Sequence, residues 1–383
     1  MTNARGLRHD DNRSAASRIC GTGGVGPRTG IRVGVVGCGY WGSKHVRVLS
    51  SLSEVREVIA VEPDPEAAKA VLVAFPAVRV FADLEAALPH VDALVIATPA
   101  QTHAKLALTA IRYGLHVLVE KPLATSLEAS RLVVEEARRA GIVLMVGHTF
   151  QFNPAIREMR RRFDSGELGD IYYIHSARLN LGLYRPDVNV VWDLAPHDLS
   201  IMNFLLRSAP KAVTAWGASL AYPHVEDLAF IRVEYNDPKV TGFIHLSWLD
   251  PRKTRTVTLV GSRKMVVYDD LAEERVRIYD RGLETGGSGP THERPISYRY
   301  GDVVSPYIQA SEPLALQDRR FVECIRDGRN PESNGIDALA IIAILEAIDR
   351  SLHARRTIEV EYPLSLASWQ PDMPGSIVQD AVL

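Results

Sequence analysis

Asp193 and His197 stand four residues apart in VWDLAPHDLSIMNFLL, residues 191–206. On a helix this spacing puts a carboxylate and an imidazole one turn apart on the same face. A carboxylate so placed can orient an imidazole that takes or gives a proton. The same residues also fit an ordinary helix start near Leu194. Asp193 is then its N-cap, because aspartate accepts hydrogen bonds from the free N–H groups of a first turn. Pro196 falls in that turn, where no donor is needed. The helix N-terminus disfavours an imidazolium and the nearby carboxylate favours one. Cap and catalyst are compatible.

A second chemical signal lies near the start of the chain. IRVGVVG runs into Gly37-Cys38-Gly39-Tyr40-Trp41-Gly42, which is GxGxxG. Gly37 permits a tight turn, Gly39 lets backbone approach a pyrophosphate, and Gly42 lets helix and strand pack closely. The following helix offers free N–H groups and a positive dipole end. Glu62 ends the next apolar run, twenty residues beyond Gly42 (62 − 42). An acid there hydrogen-bonds the ribose hydroxyls of a dinucleotide and repels a 2′-phosphate. The expected cofactor is NAD rather than NADP, with Tyr40 and Trp41 in the cofactor turn.

These groups need elements to hold them. Between Ile31 and His148, apolar runs (IRVGVV, EVIAV, VRVFA, ALVIA, HVLV, VLMV) alternate with helical patterns. Apolar strands alternating with helices predict a doubly wound parallel sheet, covered on both faces. After about residue 150 strands follow one another directly, from KAVTAWGASL to ERVRIYD, and two helices and a short strand close the chain. That pattern predicts an α+β domain with a large open, mostly antiparallel sheet. The expected organisation is a flexible tail over 1–30, a dinucleotide domain over 31–150 and a second domain over 151–383. The terminal helices are free to pack back on the first domain. A Gly-, Ser- and Pro-rich loop is expected over 282–295.

Composition excludes several classes. Lys plus Arg number 44 against 46 Asp plus Glu, so no cationic excess serves nucleic acid. No apolar run reaches the length of a membrane span. Three scattered cysteines form neither a disulfide framework nor a metal set, and a reducing cytoplasm is the expected compartment.

LHVLVEKPLA (115–124) carries Glu120-Lys121-Pro122 at the end of the fifth strand. With ATPAQTH (97–103), GHTFQFNP (147–154) and the Asp-x-x-x-His of 193–197, it resembles the Gfo/Idh/MocA oxidoreductase family over about residues 31–362. The resemblance implies hydride transfer between a nicotinamide cofactor and a sugar, cyclitol or related polyol. It also implies a homodimer or homotetramer formed through the open sheet. Lys121 resembles the family's active-site lysine, placed where ligands sit in parallel sheets. Asp193 and His197 match the pair beside the nicotinamide. Thr98, Pro99 and Glu120 lie near the cofactor. His103 either faces the same crevice or bonds the backbone. His148 and His175 read as structural.

Upstream of the pair, Tyr184, Arg185 and Asn189 are candidate substrate contacts. Arg252 and Lys253, with Arg255, could hold a diphosphate or form a solvated loop. These segments resemble the branch that oxidises nucleotide-activated sugars to keto sugars for polysaccharide or antibiotic-sugar synthesis. A ketoreductase, an inositol or free-sugar dehydrogenase, and a sensor without turnover are the other readings.

Overall fold

The computed structural model describes residues 30–182, 188–236, 238–285 and 296–363. The tail expected over 1–30, apart from Gly30, lies outside them, as do Tyr184 and Arg185.

The first sheet has six parallel strands: β1 (Ile31–Val36), β2 (Val55–Val61), β3 (Arg79–Phe81), β4 (Ala93–Ile96), β5 (His116–Val119) and β6 (Leu144–Val146). Their order is β3-β2-β1-β4-β5-β6. Five helices connect them: α1 (Tyr40–Ser50), α2 (Pro65–Ala74), α3 (Leu84–Ala87), α4 (Ala100–Arg112) and α5 (Leu127–Arg139). β4 is buried at every residue, as a strand covered on both faces must be. The strand order reverses between β1 and β4, which opens a crevice beyond the carboxyl ends of the strands. Gly37, Glu62, Thr98, Lys121 and His148 all follow such ends.

The second sheet is built from β7 (Ile171–Leu181), β8 (Ala212–Ala218), β9 (Leu228–Glu234), β10 (Thr241–Ser247), β11 (Leu249–Gly261), β12 (Met265–Asp269), β13 (Val276–Thr285), β14 (Ile296–Val304) and β15 (Ile358–Glu359). Its order is β14-β13-β12-β11-β7-β10-β9-β8-β15. Only the β7–β10 pair is parallel. β13 extends through Thr285, four residues into the expected loop, and β14 is a strand the sequence reading did not separate. Residues 286–295 of that loop lie outside the described residues.

One face of this sheet packs on α6 (Pro154–Asp164), α7 (Val190–Leu206) and α9 (Gly335–Ala354), with Met159, Met202, Ile244, Leu259 and Ile344 in a shared core. The other face carries Trp216, Phe230 and Phe243, exposed. Between them, α8 (Pro313–Asp327) and α9 tie the two sheets together. Phe321 of α8 packs with Val46 and Leu49 of α1. α9 sends Leu339 into the first core and Ile341 into the second. Among the described residues no helix is long and apolar enough to cross a membrane.

Candidate active site

The glycine-rich turn has the shape its sequence requires. Gly37 has φ +82°, and a Cβ there would lie 2.8 Å from the Thr98 methyl. A Cβ on Gly42 would lie 1.8 Å from the Gly37 carbonyl oxygen. Around Gly39 the opposite holds, since a Cβ would meet nothing within 4 Å. Gly39 caps α1 without a side chain, leaving first-turn N–H groups available to an anion. Glu62 accepts hydrogen bonds from the backbone N–H of Cys38 (2.7 Å) and Asp64 (3.0 Å). Its carboxylate is thereby held against the turn. Thr98 closes the other side, its hydroxyl 2.7 Å from that of Thr102, and Pro99 caps α4. An open cradle at a helix start with a fixed acid beside it fits a dinucleotide.

Lys121 leaves the end of β5 and points at the first turn of α7. Its ammonium donates to the Asp193 carbonyl oxygen at 3.0 Å and stands 3.9 Å from the Asp193 carboxylate. Trp248, between β10 and β11, donates its indole N–H to the same carboxylate at 3.3 Å. One turn along the helix, His197 is partly buried. Its Nδ1 is buried and has no hydrogen-bond partner among the described residues. Burial, reinforced by the positive charges of Lys121 and Arg178, holds its imidazole well below the usual pKa. It is therefore neutral at pH 7, with a nitrogen able to take a proton.

The sequence reading had Asp193 capping the helix and orienting His197. Both expectations are corrected. α7 begins at Val190, with Asn189 as its cap, its side-chain oxygen accepting from the Trp192 N–H at 3.0 Å. Pro196 sits inside the helix. Asp193 instead meets Lys121 and Trp248.

Behind His197, the ring of Phe150 stands edge-on at 5.3 Å. The Arg178 guanidinium lies 4.8 Å over that ring and pairs with buried Asp198 at 2.8 Å. This wall limits the rotation of the imidazole.

A buried ionic chain supports the lysine from below. His45, on α1, is fully buried between Glu120 (3.0 Å) and Asp318 of α8 (2.9 Å). Burial opposes its charge, but the two carboxylates prevail and lift its pKa to about 10. Glu120, though buried, is in turn held below the usual range by His45 and Lys121. The Glu120 carboxylate also accepts from the Lys121 backbone N–H at 3.3 Å.

Other candidates fall elsewhere. The ring nitrogens of His103 face the carbonyl oxygens of Pro122 (2.7 Å) and Thr98 (2.8 Å). This histidine clamps two strand ends and has no polar atom left for a cofactor. The Asn189 amide serves the cap of α7 and donates to Glu226 at 3.1 Å. Tyr40 and Trp41 are exposed at the start of α1, with the Lys44 ammonium 4.0 and 4.9 Å from their ring centres. Arg252 and Lys253 lie on a bulge. Between paired residues, β11 takes five steps (249 to 254) where β7 takes two (181 to 179). Such a bulge aims side chains out of a sheet. The hydrogen bond and charge of Lys44, then the charges of Lys253 and Arg255, lower the Tyr40 phenol pKa. The charges of the bulge therefore reach the start of α1.

His45, Asp318 and Trp248 escaped the sequence reading, which took His148 as structural. His45 and Asp318 are 273 residues apart, and only the fold joins them.

Comparison with known proteins agrees with this geometry. Residues 31–148 match the GFO_IDH_MocA oxidoreductase family, NAD-binding Rossmann fold, and residues 156–267 match the GFO/IDH/MocA C-terminal domain. Inositol 2-dehydrogenase 2 of Saccharopolyspora erythraea is 35% identical over 213 residues, 53% of this chain and 63% of that protein. UDP-N-acetylglucosamine 3-dehydrogenase of Acidithiobacillus ferrooxidans is 32% identical over 67% of this chain and 79% of its own length. Among solved structures, GenD2 from gentamicin A biosynthesis in complex with NAD superposes with a TM-score of 0.74 at 28% identity, covering 88% of this chain and 100% of that one. With its cofactor turn, its Glu-Lys-Pro and both halves of its fold accounted for, the chain belongs to the Gfo/Idh/MocA family of NAD-binding oxidoreductases.

Proposed function

We propose that this enzyme oxidises a secondary hydroxyl of a nucleotide-activated sugar to a ketone, using NAD. The observation that carries the proposal is an ammonium, Lys121, beside a neutral, partly buried imidazole, His197, at the mouth of the cofactor crevice. His197 takes the hydroxyl proton as general base. Lys121 donates to the substrate oxygen and stabilises its developing negative charge. Asp193 and Trp248 position Lys121. Bound NAD supplies the hydride acceptor, and Glu62 holds its ribose. The proton ends on His197, and the reverse reduction uses the same groups.

The cationic bulge supports the nucleotide part of this reading. The charges of Lys253 and Arg255 act on the Tyr40 phenol, so cations stand near the cofactor turn for a diphosphate to meet. The similarity to UDP-N-acetylglucosamine 3-dehydrogenase supports the same substrate class. The similarity to inositol 2-dehydrogenase 2 favours a second reading, a free cyclitol. Incubation with NAD and UDP-, dTDP- or GDP-sugars or myo-inositol, followed by nicotinamide absorbance, separates the two. Turnover on myo-inositol alone would discard the nucleotide. Unchanged turnover by His197→Ala on the active substrate would remove the proposed base.

We further infer self-association through the open sheet face. Trp216, Phe230 and His245 form a continuous row there, with the Phe230 and His245 rings stacked at 4.1 Å. An apolar sheet face of this kind calls for a cover, and a second copy supplies it by symmetry. Light scattering showing a monomer would reject this. The two described cysteines, Cys38 and Cys324, are free and buried, in keeping with a cytoplasmic enzyme.

A further inference from the structure

Two consecutive side chains of α8, Gln317 and Asp318, are fully buried behind the site. They reach two different segments that carry its groups. Asp318 holds His45, whose Nδ1 lies 3.0 and 2.9 Å from the two carboxylate oxygens. The other ring nitrogen of His45, Nε2, lies 3.0 Å from Glu120, the residue before Lys121. Gln317 instead accepts from the Thr149 hydroxyl at 2.8 Å. Thr149 precedes Phe150, whose ring stands edge-on to the His197 imidazole at 5.3 Å. The two segments also meet each other. The Gly147 N–H donates to the Val119 carbonyl at 2.8 Å, and a Cβ on Gly147 would lie 3.0 Å from both Glu120 carboxylate oxygens.

Stability alone gives no reason to bury this set. Taking three ionisable groups out of water carries a large desolvation cost, and exchanging such a set for well-packed apolar residues is often neutral or stabilising. The balance of charge points instead to Lys121. His45 has a carboxylate at each nitrogen, so its charge is shared between Asp318 and Glu120. Glu120 in turn is held as a carboxylate, against burial, by His45 and Lys121. Its second oxygen accepts from the Lys121 backbone N–H at 3.3 Å. Without the charge of Asp318, the whole imidazolium charge would fall on Glu120 and draw that carboxylate away from Lys121.

We propose that Gln317 and Asp318 are positioning residues for hydride transfer, one pair on α8 that sets the spacing between Lys121 and His197 from behind the site. The inference rests on the dehydrogenase reading for its kinetic effect and on the buried contacts for its geometry. Asp318 acts through His45 and Glu120 on the backbone of Lys121. Gln317 acts through Thr149 on the Phe150 wall, which limits the rotation of the His197 ring. A base and an oxyanion donor serve one substrate oxygen only when both stand in place, and a shift of about 1 Å costs on the order of 10²-fold in rate. The effect falls on kcat, since neither fully buried residue reaches the substrate.

The test is a pair of double-mutant cycles in the full chain. Asp318→Asn keeps the size of the side chain and leaves His45 and Glu120 as one compensated pair, so the fold is expected to persist. With the panel sugar that supports turnover, its kcat is expected to fall about 10–100-fold. KM and NADH affinity are expected to stay within about twofold of the wild type. In a Lys121→Met background the same substitution is expected to change kcat by less than about twofold, because the lysine it positions is gone. Gln317→Met is expected to lower kcat likewise and to be silent in a His197→Ala background. A merely structural role would cut kcat equally in both backgrounds, and that result overturns the proposal, as does a change confined to KM. Should Asp318→Asn fail to fold, the Gln317→Met cycle decides. A second readout needs no sugar. The Lys121 side chain is 17% exposed, and Asp318→Asn is expected to speed its acetylation by acetic anhydride severalfold, read by peptide mass spectrometry against exposed Lys253. An unchanged rate overturns the proposal. If no panel sugar turns over, the proposed reaction fails, and the Lys121 labelling alone decides this inference.

Discussion

Replacing His45 with glutamine tests the buried chain beneath Lys121. The imidazolium lies between Glu120 and Asp318 with its side chain fully buried, and Asp318 is equally enclosed. Its pKa rises from an ordinary 6.5 to about 10. That rise corresponds to about 5 kcal/mol of stability, present in full below pH 6.5 and lost as pH climbs through 10. At pH 7.5 about 3 kcal/mol remains. Removing the charge leaves two carboxylates facing each other in the interior, and breaking a buried pair typically costs about 3–5 kcal/mol. The two routes agree, so a loss of about 3–5 kcal/mol is expected near neutral pH. Urea denaturation at pH 7.5 and at pH 10 measures it. The gap between wild type and His45→Gln is expected to be large at pH 7.5 and to narrow at pH 10. Adding Asp318→Asn to His45→Gln should restore part of the loss, because it removes one of the two unpaired charges. A loss below about 1 kcal/mol at pH 7.5, or a gap that does not change with pH, would refute a charged His45.

Four further outcomes follow from the same geometry. Gly42→Ala is expected to abolish NADH binding, since its Cβ would lie 1.8 Å from the Gly37 carbonyl oxygen; fluorescence titration checks this. Lys121→Met should lower kcat about 10²–10³-fold while NADH binding persists, as loss of one preorganised donor to a developing oxyanion does. Glu62→Ala should raise the NADP-to-NAD ratio of kcat/KM by about tenfold or more, because like-charge repulsion of the 2′-phosphate is removed. On the acid side, His148 is buried neutral with a pKa of about 4. Its contribution is complete above pH 6.5 and lost as pH falls through 4, about 3 kcal/mol in all. An acid-denaturation midpoint shifted down by His148→Phe is the expected sign.

The two-sheet architecture was legible in the sequence because hydrophobic period is a local property. Six apolar runs divided by helical patterns admit few arrangements other than a parallel sheet. The strand-after-strand segment beyond residue 150 pointed as directly to an antiparallel one. GxGxxG and Glu62 were equally readable, because a tight turn at Gly37, open backbone at Gly39 and close packing at Gly42 are demands on single residues. Lys121, Asp193 and His197 were found as residue types in a pattern.

Their partnerships were another matter. Local spacing paired Asp193 with His197 and made Asp193 the cap. In the fold, Asn189 takes the cap and Asp193 turns to Lys121, 72 residues away. His103 looked able to face the crevice, but two backbone carbonyls occupy it. The length of a helix, the donor a carboxylate meets and the burial that sets an imidazole's charge depend on atoms contributed by distant segments. The sequence by itself determined which groups could do chemistry and which strand ends would carry them. Only the tertiary structure decided which of them meet, because hydrogen bonds and desolvation act over a few ångströms of space and take no account of distance along the chain.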